Sequence, residues 1–562
     1  MANSKPKMNK NNGKGSTSKG VKRDSSKSNA TFSKRKYDRV RNNDFDGGYK
    51  SEDSNGRNDF SWYNRNPQLT EAAARIPFPY RPGMVLPMGS VKETGMSVTD
   101  SVNYFKAAGL IPSLLEIDFY PSVGYSDSIN SPVSIAAREM YARVRSAFSG
   151  DLDADAPDFI MYLMALDSIH SYIASLKRLY GALNRFSSDN YSVPNSILRA
   201  YGLSDEQIKG LVTQKVNLWG YINYMIHAAS KWRMPNVFPI FTRHSFMNEN
   251  VYADDNSMQS QLYMFRQQGF YVYNQQTDPI NNALQILNND YFTMANIRNF
   301  GNMLLDKLAS WQDAYTINGY LQRAYDNVPS FESQLIAEDY VVNPVFNEQM
   351  LDQIHNARSY PGYGQLGIMD IKADVNNAII HKPNFTMIDE TYSERMYLSP
   401  VLDLDSDTPT IENIVEATRL STSILGELLD EKPGVFKITC GSELVTGFKF
   451  INVVVNPISN STAYESSDTT PFFSFNYAQA SLSNDISPEK VREDYKTFSI
   501  IAQISPFRKH PLLYLAMPNM DEGGGYPAFF CVGDVHNVTT FSPEQLKEIN
   551  RVCLFSLFNT FA

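Results

Sequence analysis

Tyr252-Ala253-Asp254-Asp255 places two adjacent carboxylates at the spacing with which template-copying polymerases hold paired divalent metals on a strand turn. That chemistry needs apolar strands on both sides. The flanks are Asn248-Glu249-Asn250 and Asn256-Ser257-Met258, so a solvated loop is expected. Gly362-Tyr363-Gly364-Gln365-Leu366-Gly367 satisfies the GxGxxG pattern of dinucleotide sites, which must follow a buried strand and open a helix. Here it follows Ser359-Tyr360-Pro361, which is loop chemistry. Gly523-Gly524-Gly525 has the backbone for an anion nest, but Asp521 and Glu522 precede it and favour a plain turn. Asp534 and His536 supply two points of a metal or acid–base site with no third ligand near them in sequence, and a surface strand is the expected setting.

The remaining chemical inventory is thin. The seven His are scattered, with no HExxH, GxSxG or P-loop pattern. Cys440, Cys531 and Cys553 are an odd count without CxxC spacing, which points to a reducing compartment and away from disulfides or a thiolate zinc site. No catalytic set, metal or cofactor is expected.

The elements that would carry these residues are mostly helical. Ser131-Pro132 opens a helix over 131–149 with an apolar stripe through Ile135, Met140, Val144 and Phe148. A longer one spans 155–185, and its Asp158, Asp167, Lys177 and Arg178 argue against a lipid span. Ser204 with Gln207 forms a capping box for a third, running towards Trp232. Further helices are expected over 279–288, 293–322, 344–357 and 409–430, so the centre of the chain is helix packed on helix. From Val435 to Pro457 the period becomes alternation, short strands recur near 471–477, 527–532 and 535–541, and a helix capped by Ser542 closes the chain. Its end, Val552 to Phe561, is almost wholly apolar and must dock on this subunit or another. No secretory h-region and no run of 18 apolar residues is present, so a soluble chain is expected.

Charge divides the chain sharply. Residues 1–41 hold 13 Lys and Arg against Asp24 and Asp38, about +11; the other 38 bases and 58 acids leave residues 42–562 at −20. The basic segment has too few apolar residues to offset the entropy of ordering it, so disorder is expected over 1–57. Fully extended, residues 1–41 would reach roughly 140 Å at about 3.4 Å each. Lys22, Arg23, Lys34, Arg35, Lys36, Arg39 and Arg41 suit RNA phosphates without base readout. Neutralising even six phosphates gives a salt slope of about four to five logarithmic units per decade for single strands, and many arms held together bind far more tightly than one. Lys34-Arg35-Lys36 also reads as a nuclear address. The 33 Tyr and 33 Phe suit interfaces as well as cores.

At Asn58 to Gly83 the chain reads NDFSWYNRNPQLTEAAARIPFPYRPG, with a short helix expected over 68–76 between the first buriable aromatics and a proline cluster. This segment resembles the junction of picobirnavirus capsid proteins, in which a basic N-terminus precedes an Asn-Asp-x-Ser-Trp-Tyr cluster, an Ala-rich turn and a Pro-Phe-x-x-x-Pro-Gly stretch. The resemblance implies the coat protein of a double-stranded RNA virus: mainly α, with a helical shell domain, a projecting domain and minor β strands, in a picobirnavirus- or partitivirus-like capsid architecture. It further implies interlaced homodimers in an icosahedral shell, viral RNA held by the interior arm, assembly in the host cytoplasm, and contact with a host membrane during infection. On this scheme 1–57 is the arm, 58–150 the first shell part, 151–430 a helical region including the projecting and dimerisation domain, and 431–562 a mixed part returning to the shell. Trp62, Tyr63 and Phe78 would anchor the arm. Relatives are described as removing an N-terminal peptide autocatalytically; Asn64 and Asn66 mark the corresponding region, although Pro67 lacks an N–H and no clear Asn-Ala pair is present. The rival readings are a nucleic-acid enzyme, polymerase or processing factor, tethered by its tail with Asp254 and Asp255 on metal, and a nucleocapsid protein coating RNA as a filament.

Overall fold

Strand β1 (Leu114–Pro121) is followed by helices α1 (Pro132–Ala147) and α2 (Ala156–Asn184). Both helices start as their sequences dictate. Pro132 and Pro157 take opening positions where a missing N–H costs nothing, and Asp155 with Asp158 closes a reciprocal capping box on α2. α2 is apolar on every side, so it needs a neighbour in each direction, and every residue from Phe159 to Ala182 is buried. It is long and apolar enough to cross a membrane by length and composition, yet here it is the core helix of the fold. Helices α3 (Ser192–Ala200), α5 (Lys215–Ala229), α6 (Pro239–Glu249), α7 (Met294–Ser310) and α8 (Gln312–Ala324) pack around it with α1, and α4 (Asp205–Thr213) leads into α5.

In this computed structural model the described residues are 114–185, 192–256, 260–274, 283–359, 364–367, 369–387, 401–404, 408–427, 435–455, 464–472, 477–479, 507–517, 528–532 and 536–560. The basic segment with Lys22, Arg23, Lys34, Arg35, Lys36, Arg39 and Arg41 therefore lies outside them. So do the junction with Trp62, Tyr63, Asn64, Asn66 and Phe78, the helix expected over 68–76, the Gly523-Gly524-Gly525 turn and Asp534.

Two helices expected as continuous are each divided. The 204–232 segment breaks at Gln214, and 293–322 breaks at Trp311, whose extended backbone turns its ring inward to stack on Tyr273 at 3.9 Å. A third expectation fails in kind. β2 (Tyr252–Ala253) and β3 (Leu262–Gln267) are followed by β4 (Gly269–Asn274), and β5 (Ala283–Asn288) pairs antiparallel with β4 along its whole length where a helix was expected over 279–288. Ten residues make a marginal helix, whereas the aromatic strand Phe270-Tyr271-Val272-Tyr273 offers a ready partner.

After α9 (Glu348–His355) come the short strands β6 (Gly364–Gly367), β7 (Ile371–Ala373), β8 (Ile379–Ile380), β9 (Asn384–Met387) and β10 (Val401–Asp403). The helix expected over 409–430 is only α10 (Ile411–Ala417), capped by Thr410. The chain then turns into β11 (Ser423–Glu427), which pairs with β12 (Val435–Thr439). The run Ser421-Thr422-Ser423-Ile424 explains the switch, since hydroxyl and β-branched side chains favour extended backbone. The alternation expected from Val435 is realised in β12 and in β13 (Glu443–Val455), which pairs with β14 (Tyr464–Phe472). β15 (Tyr477–Gln479), β16 (Leu513–Met517) and β17 (Ala528–Val532) make a separate sheet, β18 (Val538–Thr540) pairs with β10, and α11 (Pro543–Leu557) ends the chain.

The five-stranded sheet β14-β13-β1-β3-β2 joins distant parts of the sequence. β1 lies antiparallel to β13 and parallel to β3, so residues near 115, 265 and 450 form one surface. One face is Leu115, Ile117 and Phe119 beside Phe450, Phe448, Tyr263 and Phe265, closed by Met350, Leu351 and Ile354 of α9. Fully burying each such side chain contributes roughly 1.5–3 kcal/mol. The apolar end of α11 docks on this same chain: Leu554 and Phe558 enter the main core, with Leu554 over Gly124. Gly124 has φ +76°, and a Cβ there would run into Leu554.

Candidate functional site

Asp254 and Asp255 do different jobs. Asp254 is buried; its Oδ1 accepts the Gln261 N–H at 3.0 Å, and its Oδ2 accepts the Arg508 N–H at 3.1 Å and the Tyr263 hydroxyl at 3.4 Å. Burial pushes its carboxyl above the usual range. Asp255 pairs with the Arg508 guanidinium at the surface at 3.0 Å. The pair is thus a clasp between the β2–β3 turn and the segment at 507–510. Asp254→Ala is expected to cost about 1–3 kcal/mol for the N–H groups it orphans, and Asp255→Ala under about 1 kcal/mol. Denaturant unfolding of the two variants checks this; equal effects, or a divalent-dependent activity lost in both, would contradict it.

The other motifs fare similarly. Gly364–Gly367 is strand β6, paired antiparallel with β9, so the GxGxxG match opens no helix. His536 faces Asp403, at 3.4 Å from Nδ1 to Oδ2. Asp403 also accepts the His536 and Asn537 N–H groups at 2.8 and 3.0 Å, and His355 Nε2 lies 3.1 Å from its Oδ2. Burial alone would raise this carboxyl; the His355 hydrogen bond and the backbone donors outweigh it and hold it at about 2. Among the described residues no group of three or more His, Cys, Asp or Glu is placed to hold a metal ion.

Burial concentrates the unusual chemistry elsewhere. Asp167 projects from the middle of α2 and accepts His244 Nδ1 of α6 at 2.7 Å. His244 Nε2 lies 3.4 Å from Glu443 Oε1 at the start of β13, and Arg243 clamps both Glu443 oxygens at 2.7 and 2.9 Å. Ser442 donates a further 2.7 Å bond to Glu443. Asp167, His244 and Glu443 have fully buried side chains, so this is an ionic seam between the helical core and the sheet, not an open pocket. Burial alone would lower the His244 pKa, but the two carboxylates outweigh it and raise it to about 10. Glu443 is held well below the carboxylate range by Arg243 and His244 against the opposing effect of burial, whereas Asp167 is pushed up by burial.

The polar face of the sheet carries a second seam. Glu116 and Asp118, two residues apart on β1, point the same way, and Lys449 of β13 sits 3.2 Å from Glu116 and also pairs with Asp118. Arg266 of β3 reaches Glu116 at 3.2 Å. Burial first, then Asp118, raises Glu116 to about 8. Ser122, His381 and Cys440 also meet, with Ser122 Oγ 3.1 Å from His381 Nε2 and 3.3 Å from Cys440 Sγ. All three are buried; burial lowers His381 to about 4 and pushes the thiol up to about 12. A neutral imidazole and a protonated thiol sealed from solvent form a structural knot. None of these clusters is visible in sequence, since their members lie up to 333 residues apart. The one signal was four charges, Asp158, Asp167, Lys177 and Arg178, in an otherwise apolar helix.

Among the described residues, the buried charges join layers of the fold. The profile of the family described as picobirnavirus capsid protein matches residues 62–518. A capsid protein precursor of human picobirnavirus (strain Human/Thailand/Hy005102/-) is 26% identical over 538 residues, covering 90% of this chain and 91% of that one. The crystal structure of the picobirnavirus capsid superposes with a TM-score of 0.71 at 19% identity, covering 89% of this chain and 98% of that one, which places the two in one fold, mainly α with minor β sheets. With the family profile spanning most of its length, the chain belongs to the picobirnavirus capsid protein family and is a structural component of a virion.

Proposed function

We propose that this chain is a self-assembling coat subunit that encloses a double-stranded RNA genome, with its basic N-terminal segment facing the RNA. The observation that carries this reading is the charge division, about +11 over residues 1–41 against −20 over the rest. Lys22, Arg23, Lys34, Arg35, Lys36, Arg39 and Arg41 supply charge without fixed geometry, which suits phosphates and not base edges. An acidic body repels packaged duplex and leaves it loosely held. Residues 58–150 and 431–562 act together as the shell part, a division supported by the pairing of β1 with β13. Residues 151–430 supply the helical region that includes the projecting and dimerisation part, and Trp62, Tyr63 and Phe78 anchor the arm. Removal of an N-terminal peptide near Asn64 and Asn66, and disturbance of a host membrane on infection, complete the proposal; the relative named above is itself called a precursor.

One experiment addresses arm and cleavage together. Particles from the full chain and from a chain lacking residues 1–41 are compared for RNA content and intact mass. The shortened chain should still form shells but with much less RNA, and full-chain particles should show loss of about 60–70 residues, where order is expected to begin. Equal RNA content refutes the role of the arm, and an undiminished mass refutes cleavage.

A further inference from the structure

We propose that the outward face of α5 is a contact between two copies of this chain, related by a two-fold axis that passes beside Gly220. The inference rests on the coat-subunit reading and names a surface for it. Along α5 the solvent-facing positions are Val216, Asn217, Gly220, Tyr224 and His227. Val216 is 61% exposed and Tyr224 56%. Leu335 extends the apolar patch sideways at 55%, because the neighbouring Ile336 carbonyl accepts both Trp219 Nε1 at 2.9 Å and Asn223 Nδ2 at 3.1 Å from α5.

Charge sets this face apart. Lys215 is the sole Asp, Glu, Lys or Arg in α5, whereas α7 exposes Arg298, Asp306 and Lys307 and α1 exposes Arg138, Glu139 and Arg145. A helix face meant for water carries charge, and depletion of charge around exposed aromatics marks the centre of an interface. Tyr224 is also held in place by stacking on Tyr221 at 5.9 Å, a rigid anchor of the kind that dominates such contacts.

Gly220 then supplies the symmetry. Among the described residues a Cβ at this position would meet nothing within 4 Å, so no packing among them requires glycine, which costs a helix interior about 1 kcal/mol relative to Ala. Close approach from outside explains it. Val216 and Tyr224 lie one turn on either side, so a two-fold axis at Gly220 sets each Val216 against the other copy's Tyr224 in a self-complementary contact. Helix axes about 9 Å apart, each with a Cα radius of about 2.3 Å, bring the two Gly220 Cα atoms to about 4.4 Å.

Gly220→Cys tests this directly, because that separation sits at the short edge of disulfide reach. Under mild oxidation, particles of G220C should run as a covalent dimer on a non-reducing gel while the wild type, with its own three Cys, stays monomeric. Gly220→Leu should leave the isolated subunit folded, with equal or higher Tm, and lower particle yield by roughly tenfold or more. Particles of G220C without the dimer band, or G220L particles at wild-type yield, overturn the contact. Shielding of the introduced thiol from maleimide in monomeric G220C also overturns it, since the face would then be covered by the chain's own residues. Wild-type protein that forms no particles under the same conditions would instead defeat the coat-subunit reading.

Discussion

Glu443→Gln is expected to destabilise the folded subunit by about 3–5 kcal/mol, the usual cost of removing one partner from a buried ion cluster. Glu443 is the anion on which Arg243 closes bidentately, to which Ser442 donates, and which flanks His244. With the charge gone, Arg243 and protonated His244 stay buried against Asp167 alone. A domain is stable by only about 5–15 kcal/mol, so this is a large fraction of the total. Guanidinium unfolding of purified subunit reads it as a lower midpoint at unchanged slope. The double variant Arg243→Met with Glu443→Leu should lose less than Glu443→Gln, because hydrophobic replacement of both partners removes the stranded charge. A single-variant loss under about 1 kcal/mol would show that Glu443 is answered by solvent and not by the seam. The consequence reaches assembly, since Glu443 begins β13, and β13 carries β1 and the sheet on which α9 packs.

Helices with strong local signals were legible in the sequence. Ser131-Pro132, Ser204 with Gln207 and Ser542 all sit where the structure has helix starts, because capping is decided within four residues. What escaped depends on partners outside the segment itself. Residues 283–288 form a strand because β4 lies beside them, and 423–427 because β12 does. The sheet itself pairs residue 116 with residue 449 and 118 with 266, a register that no local pattern announces. For the same reason the Asp167–His244–Glu443 seam was invisible, although an aspartate in the middle of an apolar helix already demanded a partner. The motifs that could be read by spacing, Asp254-Asp255 and GxGxxG, turned out to be a loop clasp and an ordinary strand.

Raising the pH from about 6 to 10 is expected to weaken the folded subunit by several kcal/mol, and His244 carries most of the effect. Its pKa in the fold is about 10 against 6.5 when free, so its stabilisation is complete below 6.5 and is lost as pH climbs through 10. A shift of that size corresponds to a ceiling of about 5 kcal/mol. Asp167 acts in the same direction, since burial raises its pKa in the fold and its own contribution is likewise lost as pH climbs. Glu116 acts in the same direction: with its folded pKa raised from 4.5 to about 8, the stability it contributes is present at low pH and declines across that interval. Glu443 has the opposite sign, because its depressed pKa makes its contribution complete above 4.5 and lost only in strong acid. The two seams together therefore favour the fold most near pH 4.5 and lose stabilisation as the pH rises above it. Denaturant midpoints measured at pH 6, 8 and 10 should fall steadily for the wild type, and the fall should flatten in His244→Gln, which has no proton to lose. A midpoint that rises from pH 6 to 10, or a slope that His244→Gln leaves intact, would mean that His244 is neutral in the fold and that Asp167 holds the proton instead.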